Sequence, residues 1–215
     1  MKNLLYKEFR LVISPLYFLI LLSGALLLIP QWVYFMAMMY FLFLVVPNVF
    51  ANARAVNDIG FTVMLPVGKR EVVKARVASI AALELLQIAS AAIFAVLNMA
   101  LYPKGNFLID ANIAYLGCVF MMYGIFNVLF FPMFYKTAYK IAGPILVSLT
   151  VSGLFAAAVE TLVVAVPAAA HVLDGTTGEA LIRQLPVLAA GMILFALLTM
   201  LAYKSSAENF EKVDL

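Results

Sequence analysis

The chain has 215 residues, 66% of them hydrophobic and only 12% charged, with a mean hydropathy of +1.07 and a net charge of +3. A soluble domain of this length has no use for so much apolar surface, which excludes the soluble classes and points to an integral membrane protein. Crossing a bilayer as helix takes about 20 apolar residues, and six stretches qualify: roughly 15–30, 31–50, 77–101, 112–134, 141–168 and 184–203.

Backbone groups in lipid must be satisfied internally, and these runs are continuous rather than alternating, so they read as helices and not as barrel strands. The expected fold is all-α with six spans, a single transmembrane domain over 1–215, and no room for a soluble domain. Placing the N-terminus inside puts Lys2, Lys7, Arg10, Arg54, Lys69, Arg70, Lys74, Arg76, Lys136, Lys140, Lys204 and Lys212 inside, against only Lys104 and Arg183 outside. The positive-inside rule therefore makes both termini cytoplasmic. Met1 opens a mildly basic segment with no small-residue cleavage site, unlike a secretory signal.

Residues 1–14 form a separate element. Leu5, Phe9 and Val12 recur at helical spacing, with Lys7, Arg10 and Ser14 on another face. This suits a short amphipathic helix in the inner interface, the alternative being a frayed start of the first span. Ser14-Pro15 reads as an N-cap followed by proline at the first helical position. A span starting there reaches only roughly 22 Å. Pro30 marks a tight outer turn, and the second helix continues past Pro47 to leave the membrane near Ala51.

The next loop, 51–76, is the one long polar interruption, and five of the fourteen basic residues lie in it. Within it, 53–64 suits a short amphipathic helix with Val56, Ile59, Val63 and Met64 on one side and Arg54 and Asp58 as an i, i+4 pair. Gly60 weakens that helix and Leu65-Pro66 ends it. After a Val67-Gly68 turn, Lys69 to Arg76 begin the third spanning helix.

Two carboxylates fall inside spans, Glu84 and Glu160. Such residues are costly in lipid and face a bundle interior or a cavity. Glu84, Gln87, Ala91 and Asn98 share one helical face. Glu84, Gln87, Asn98 and Glu160 are therefore candidates for a substrate pathway, the bland reading being that each carboxylate merely fixes packing. The fifth segment would reach about 42 Å as one helix, so a span followed by a shorter re-entrant or interfacial piece fits better. Its Gly153, Ala157 and Glu160 share a small-residue face that permits close helix contact.

No catalytic constellation is present: the chain has no G-x-x-x-x-G-K-[ST], G-x-S-x-G or H-E-x-x-H pattern. His171 is the single histidine and Cys118 the single cysteine, so no metal site or internal disulfide is expected. No internal repeat of the kind found in secondary transporters is visible.

The Lys7-Glu8-Phe9 start, the six spans and the sequence Leu65-Pro66-Val67-Gly68-Lys69-Arg70-Glu71-Val72-Val73-Lys74-Ala75-Arg76 resemble the permease subunits of ABC-2-type exporters. The likeness is strongest to the small bacterial permeases of the phenol-soluble-modulin exporter type. Gly68 stands where a serine is common there. The resemblance implies a non-enzymatic half-transporter in the bacterial cytoplasmic membrane that pairs with a second permease, identical or related, and with separate ATPase subunits. ATP and Mg would sit on those partners, with no cofactor on this chain. The cargo would be an amphipathic or hydrophobic peptide, and no nucleic-acid partner is implied. A coupling helix around Asn57 to Val63 would dock on the ATPase, with Arg54, Asn57, Asp58, Phe61, Lys69, Arg70 and Glu71 in contact, and Lys136 to Lys140 would give a smaller second contact. Gly153 and Ala157 would lie in the permease dimer. The competing readings are a substrate-binding membrane subunit of a vitamin importer and a structural or sensory membrane protein. The first leaves the long charged loop unexplained; a P-loop ATPase in the neighbouring reading frame would favour the exporter.

Overall fold

A computed structural model describes residues 2–64, 66–102, 105–137 and 140–213. Leu65 and Lys104, and the side chains of Ile59 and Val63, lie outside the described residues. Every regular element among those described is helical. In order these are α1 (Lys2–Lys7, continued as a π-helical turn Glu8–Val12), α2 (Tyr17–Ile20, continued as 3-10 helix Leu21–Leu28), α3 (Tyr34–Ala55), α4 (Asp58–Val63), α5 (Lys69–Leu101), α6 (Ile113–Tyr135), α7 (Ala142–Ala165), α8 (Pro167–Leu173) and α9 (Gly178–Glu211). Five of them are long and apolar enough to cross a membrane alone, and the bent pair Asn3–Val12 and Tyr17–Leu28 makes a sixth candidate.

That pair is bent by 85°. The Ser14 hydroxyl accepts from the Leu16 amide at 3.3 Å, satisfying one free donor at the start of α2. The expected Leu5/Phe9/Val12 stripe is not the buried one. Leu4, Glu8 and Val12 face the bundle, while Phe9 and Leu11 are exposed. The π-helical turn alters the period, and Glu8 is drawn inward by an arginine described below.

The tightly wound 3-10 stretch of the first span leans on polar side chains of α5. Ser90 donates to the Leu21 carbonyl at 2.7 Å, Asn98 to the Leu27 carbonyl at 2.6 Å, and Gln87 to the Ser23 hydroxyl at 2.9 Å. Irregular helix is tolerated at membrane depth where neighbours supply such partners. The Gln87/Ala91/Asn98 face of α5 thus packs against this span.

Helix α3 passes through Pro47 without ending and runs on to Ala55. Phe35, Met38, Phe41, Leu42, Val45, Val49 and Phe50 bury one broad face of it. Helix α6 is the most enclosed span, and it meets α9 backbone to backbone. A methyl group on Gly117 would lie 2.7 Å from the Val187 carbonyl oxygen, and one on Gly191 would overlap the Gly117 carbonyl. The fifth segment stops at Ala165. Val166 is extended, and Pro167 opens α8 at its first position rather than closing the preceding run.

Helices α5 and α9, with 33 and 34 residues, reach about 50 Å, well beyond a hydrocarbon core of about 30 Å. Their extensions meet at one end of the bundle. Arg70 donates twice to Glu211, at 2.7 and 3.0 Å, and Lys69 donates to the Val213 carbonyl at 2.8 Å. This basic end also holds α1 and α4. The opposite end holds the α2–α3 turn, the 105–112 loop and α8.

Candidate functional site

At the basic end four charged side chains meet under α4. Arg76 donates to Glu8 through Nε at 2.5 Å and Nη2 at 3.1 Å, and through Nη2 to Asp58 at 2.7 Å. Lys7 donates to Asp58 at 2.6 Å and to the Thr62 hydroxyl at 2.9 Å. The Thr62 hydroxyl in turn donates to the Asp58 carbonyl at 2.6 Å. Glu8, Asp58 and Arg76 are 1%, 4% and 3% exposed, so these charges have left water. Burying them is costly, and only near-complete pairing compensates. Both carboxylates here have both oxygens filled. The Arg76 guanidinium also lies 5.4 Å from the Phe50 ring centre, within cation–π range. The cluster ties α1, its π turn, α4 and α5 into one unit.

Local backbone chemistry places Asp58 there. Helix α3 ends at Ala55, and Asn57 adopts a left-handed conformation, φ 46°, before α4 begins. Asparagine tolerates that region better than most residues. Arg54 and Asp58 therefore do not share one continuous helix, and the expected i, i+4 pair does not form: the Asp58 oxygens belong to Lys7 and Arg76. Gly60 has a positive role. A methyl group at that position would lie 2.8 Å from the Asn57 side chain, so glycine leaves room for the turn.

The other face of the α3–α4 corner is open. Phe61 is 58% exposed and Met64 86%, flanked by exposed Arg54, Val56 and Asn57. Arg54 and Lys140 come together, lining a cleft of about 470 Å³ with Ile141, Ala142 and Gly143. Glu71 and Lys136 are exposed, whereas Lys69 and Arg70 are engaged by the end of α9. The residues expected at a partner contact thus divide. Arg54, Asn57, Phe61, Glu71, Lys136 and Lys140 are available, Lys69 and Arg70 are tethered, and Asp58 lies beneath the surface as the anchor of α4.

The intramembrane polar residues are not gathered in one place. Glu84 is fully buried and accepts from Asn127 of α6 at 2.8 Å; Asn127 also donates to Thr199 of α9 at 3.1 Å. Asn98 donates to the Tyr34 hydroxyl at 2.9 Å. Glu160 sits at the opposite end and accepts from the Ile109 amide at 3.0 Å. An apolar groove of about 260 Å³ runs between α3 and α7, lined by Met36, Met39, Tyr40, Phe43 and Leu149. Gly153 adjoins it, since a methyl there would touch Met39 at 3.2 Å. Ala157 is exposed.

Residues 3–211 match the family described as ABC-2 family transporter protein. The chain belongs to that family. No curated protein and no solved structure matches it. As an ABC-2 chain it is a multi-pass membrane protein and a permease component of an ABC transporter, a class that works with a partner ATPase subunit.

Within this ABC-2 permease, sequence reasoning missed the pairing of Glu8 with Arg76 and of Lys7 with Asp58. A signal was available for Glu8: one acid at helical spacing from Leu4 and Val12, on the apolar face of a short helix. An acid in that register implies a buried cation elsewhere. It does not say which of the loop's five cations answers.

Proposed function

We propose that this ABC-2 permease is one half of an ATP-driven exporter that expels amphipathic or hydrophobic peptides across the bacterial cytoplasmic membrane. A second permease and two ATPase subunits carrying ATP and Mg complete it. The observation that carries the reading is α4: a short helix with exposed Phe61 and Met64 at its tip and a buried ionic anchor at its root. An apolar tip suits insertion into a groove on another protein. The anchor suits transmission, because a push on α4 must move α1 and α5 or break ion pairs. The Arg54/Lys140 cleft offers an acidic segment of the same partner a second hold. The basic end is then cytoplasmic, in keeping with the distribution of Lys and Arg.

The peptide cargo is supported by the groove between α3 and α7. Four of its five lining residues are methionine or aromatic, Met36, Met39, Tyr40 and Phe43, and methionine adapts to varied apolar partners. Glu84 is the candidate for contact with a cargo cation deeper in the bundle; Gln87, Asn98 and Glu160 are the other pathway candidates.

The test is co-purification with the P-loop ATPase encoded nearest to this chain, followed by measurement of ATP hydrolysis in proteoliposomes. Phe61→Ala and Arg54→Glu are each expected to weaken recruitment or the stimulated hydrolysis severalfold, with the permease still folded. Asp58→Lys is expected to lose coupling by collapsing the anchor. Recruitment and stimulated hydrolysis unchanged in all three would remove this corner from the mechanism.

A further inference from the structure

The first span is built from two kinds of helix. Tyr17–Ile20 is α-helical, and Leu21–Leu28 is 3-10 helix over eight residues. The backbone angles where it begins fit that form, with φ −69°, ψ −22° at Ile20 and φ −58°, ψ −26° at Leu21. Runs of 3-10 helix longer than about four residues are uncommon, because their hydrogen bonds are poorer than those of an α-helix. The local sequence does not ask for one. Five leucines and an alanine among the eight residues favour the α form. The winding is therefore imposed from outside.

Helix α5 supplies the constraint. The Leu21 carbonyl accepts from the Ser90 hydroxyl at 2.7 Å, and the Leu27 carbonyl accepts from the Asn98 amide group at 2.6 Å. Ser90 and Asn98 are eight residues apart on one continuous α-helix, which is about 12 Å. Leu21 and Leu27 are six residues apart, which is about 12 Å in 3-10 helix but only about 9 Å in α-helix. The two donors thus match the 3-10 spacing and miss the α spacing by about 3 Å, the length of a hydrogen bond. Between them Gly24 lies close against α5. A methyl there would sit 2.9 Å from the Ser90 hydroxyl and 3.2 Å from the Ala91 nitrogen.

The end of this span away from the ionic cluster is fixed too. Gln31, at φ +57°, donates to the Gly105 carbonyl at 3.1 Å and accepts from the Phe107 amide at 3.0 Å. The other end turns through Ser14-Pro15 into α1, whose Lys7 and Glu8 belong to the ionic cluster. A change in the length of the span is therefore delivered to α1.

We propose that the first span is an element of two lengths, held long as 3-10 helix by Ser90 and Asn98 and about 4 Å shorter as α-helix when those bonds are released, since each of the eight residues then gives up about 0.5 Å. The long form also suits lipid. Tyr17–Leu28 covers about 22 Å as it stands and about 18 Å as α-helix throughout, against a hydrocarbon core of about 30 Å. The two lengths are a property of this chain alone; their use as a stroke passed to α4 rests on the exporter reading.

The experiment measures length and involves no transport. In a Cys118→Ala background, spin labels at Leu16→Cys and Ile29→Cys, both exposed positions, report the distance along the span by pulsed electron paramagnetic resonance on the full chain in lipid nanodiscs. A second sample labelled at Leu154→Cys and Ile193→Cys gives a reference distance between α7 and α9. Ser90→Ala should add a population about 4 Å shorter than the main wild-type distance. Ser90→Ala with Asn98→Leu should make that population dominant, while the reference distance stays constant. Ser90→Ala removes a single hydroxyl, so its reading stands whether or not the double variant assembles. An unchanged distance along the span in Ser90→Ala would overturn the proposal, because the 3-10 winding would then belong to the span itself. Shortening matched by an equal shift of the reference distance would overturn it as well, as a general loosening of the bundle.

Discussion

Arg76 shows how much a single residue can hide from sequence. In the chain it is one cation among five in a polar loop; in the fold it is 3% exposed and binds two carboxylates from segments 68 and 18 residues away. Positive-inside counting assigns it a side of the membrane and nothing more, because that rule treats cations as interchangeable. The pairing depends on where α1 and α4 land, and that is set by the 85° turn at Ser14-Pro15 and by the left-handed Asn57. Removing one partner of a buried ion pair costs about 3–5 kcal/mol, since the other charge is left stranded. Arg76→Ala should therefore lower thermal stability sharply in detergent or nanodiscs, read by fluorescence-monitored unfolding. Arg76→Lys should recover only part, because an ammonium cannot reproduce the forked contacts to Glu8 and Asp58. A melting curve for Arg76→Ala equal to wild type would mean that the cluster contributes no net stability.

Among elements, α6 and α9 form the packing on which the bundle depends, and their contact illustrates a second limit of sequence reading. Helix existence was legible, since apolar runs of this length have few alternatives in lipid. The facing of the helices was not. A span that is apolar all round, as α6 is, carries no amphipathic stripe to reveal its inner side. The usable clue was Gly117 and Gly124, two turns apart, a small-residue pattern of the kind that lets helices approach closely. The Glu84/Gln87/Ala91/Asn98 stripe was legible for the converse reason: polar residues in lipid must turn inward, and all four are buried. Gly117→Ala should shift α9 against backbone and destabilise by about 1–3 kcal/mol, the range for overpacking a tight core. Gly153→Ala should do little, because its nearest neighbour is the flexible end of Met39. Paired unfolding measurements on the two variants check the contrast; equal effects would show that α6 and α9 have slack between them.

At the scale of the molecule, the distribution of burial limits where a second permease would sit if the proposed pairing holds. Span burial runs from 61% in α6 and 56% in α3 down to 28% in α7 and 17% in α9. The enclosed helices offer little surface, so a permease pair must use the outer ones. Both α7 and α9 expose large aliphatic side chains, which lipid alone would accommodate. Helix α7 carries exposed Ala157 and Ala158 one turn beyond Gly153, a face on which another backbone can come close; α9 carries exposed Ala189, Ala190 and Ala196 as well, so what sets α7 apart is the open groove it shares with α3. On that proposal, a partner docked against α7 would also cover the groove between α3 and α7. Cys118 is 4% exposed in α6, so a Cys118→Ala background gives a clean start for disulfide mapping. Leu154→Cys and Ala157→Cys should each cross-link two copies in native membranes on mild oxidation, while Ile193→Cys and Leu197→Cys on α9 should stay monomeric. Efficient cross-linking from α9 with none from α7 would move the interface to the other side of the bundle and detach the groove from it.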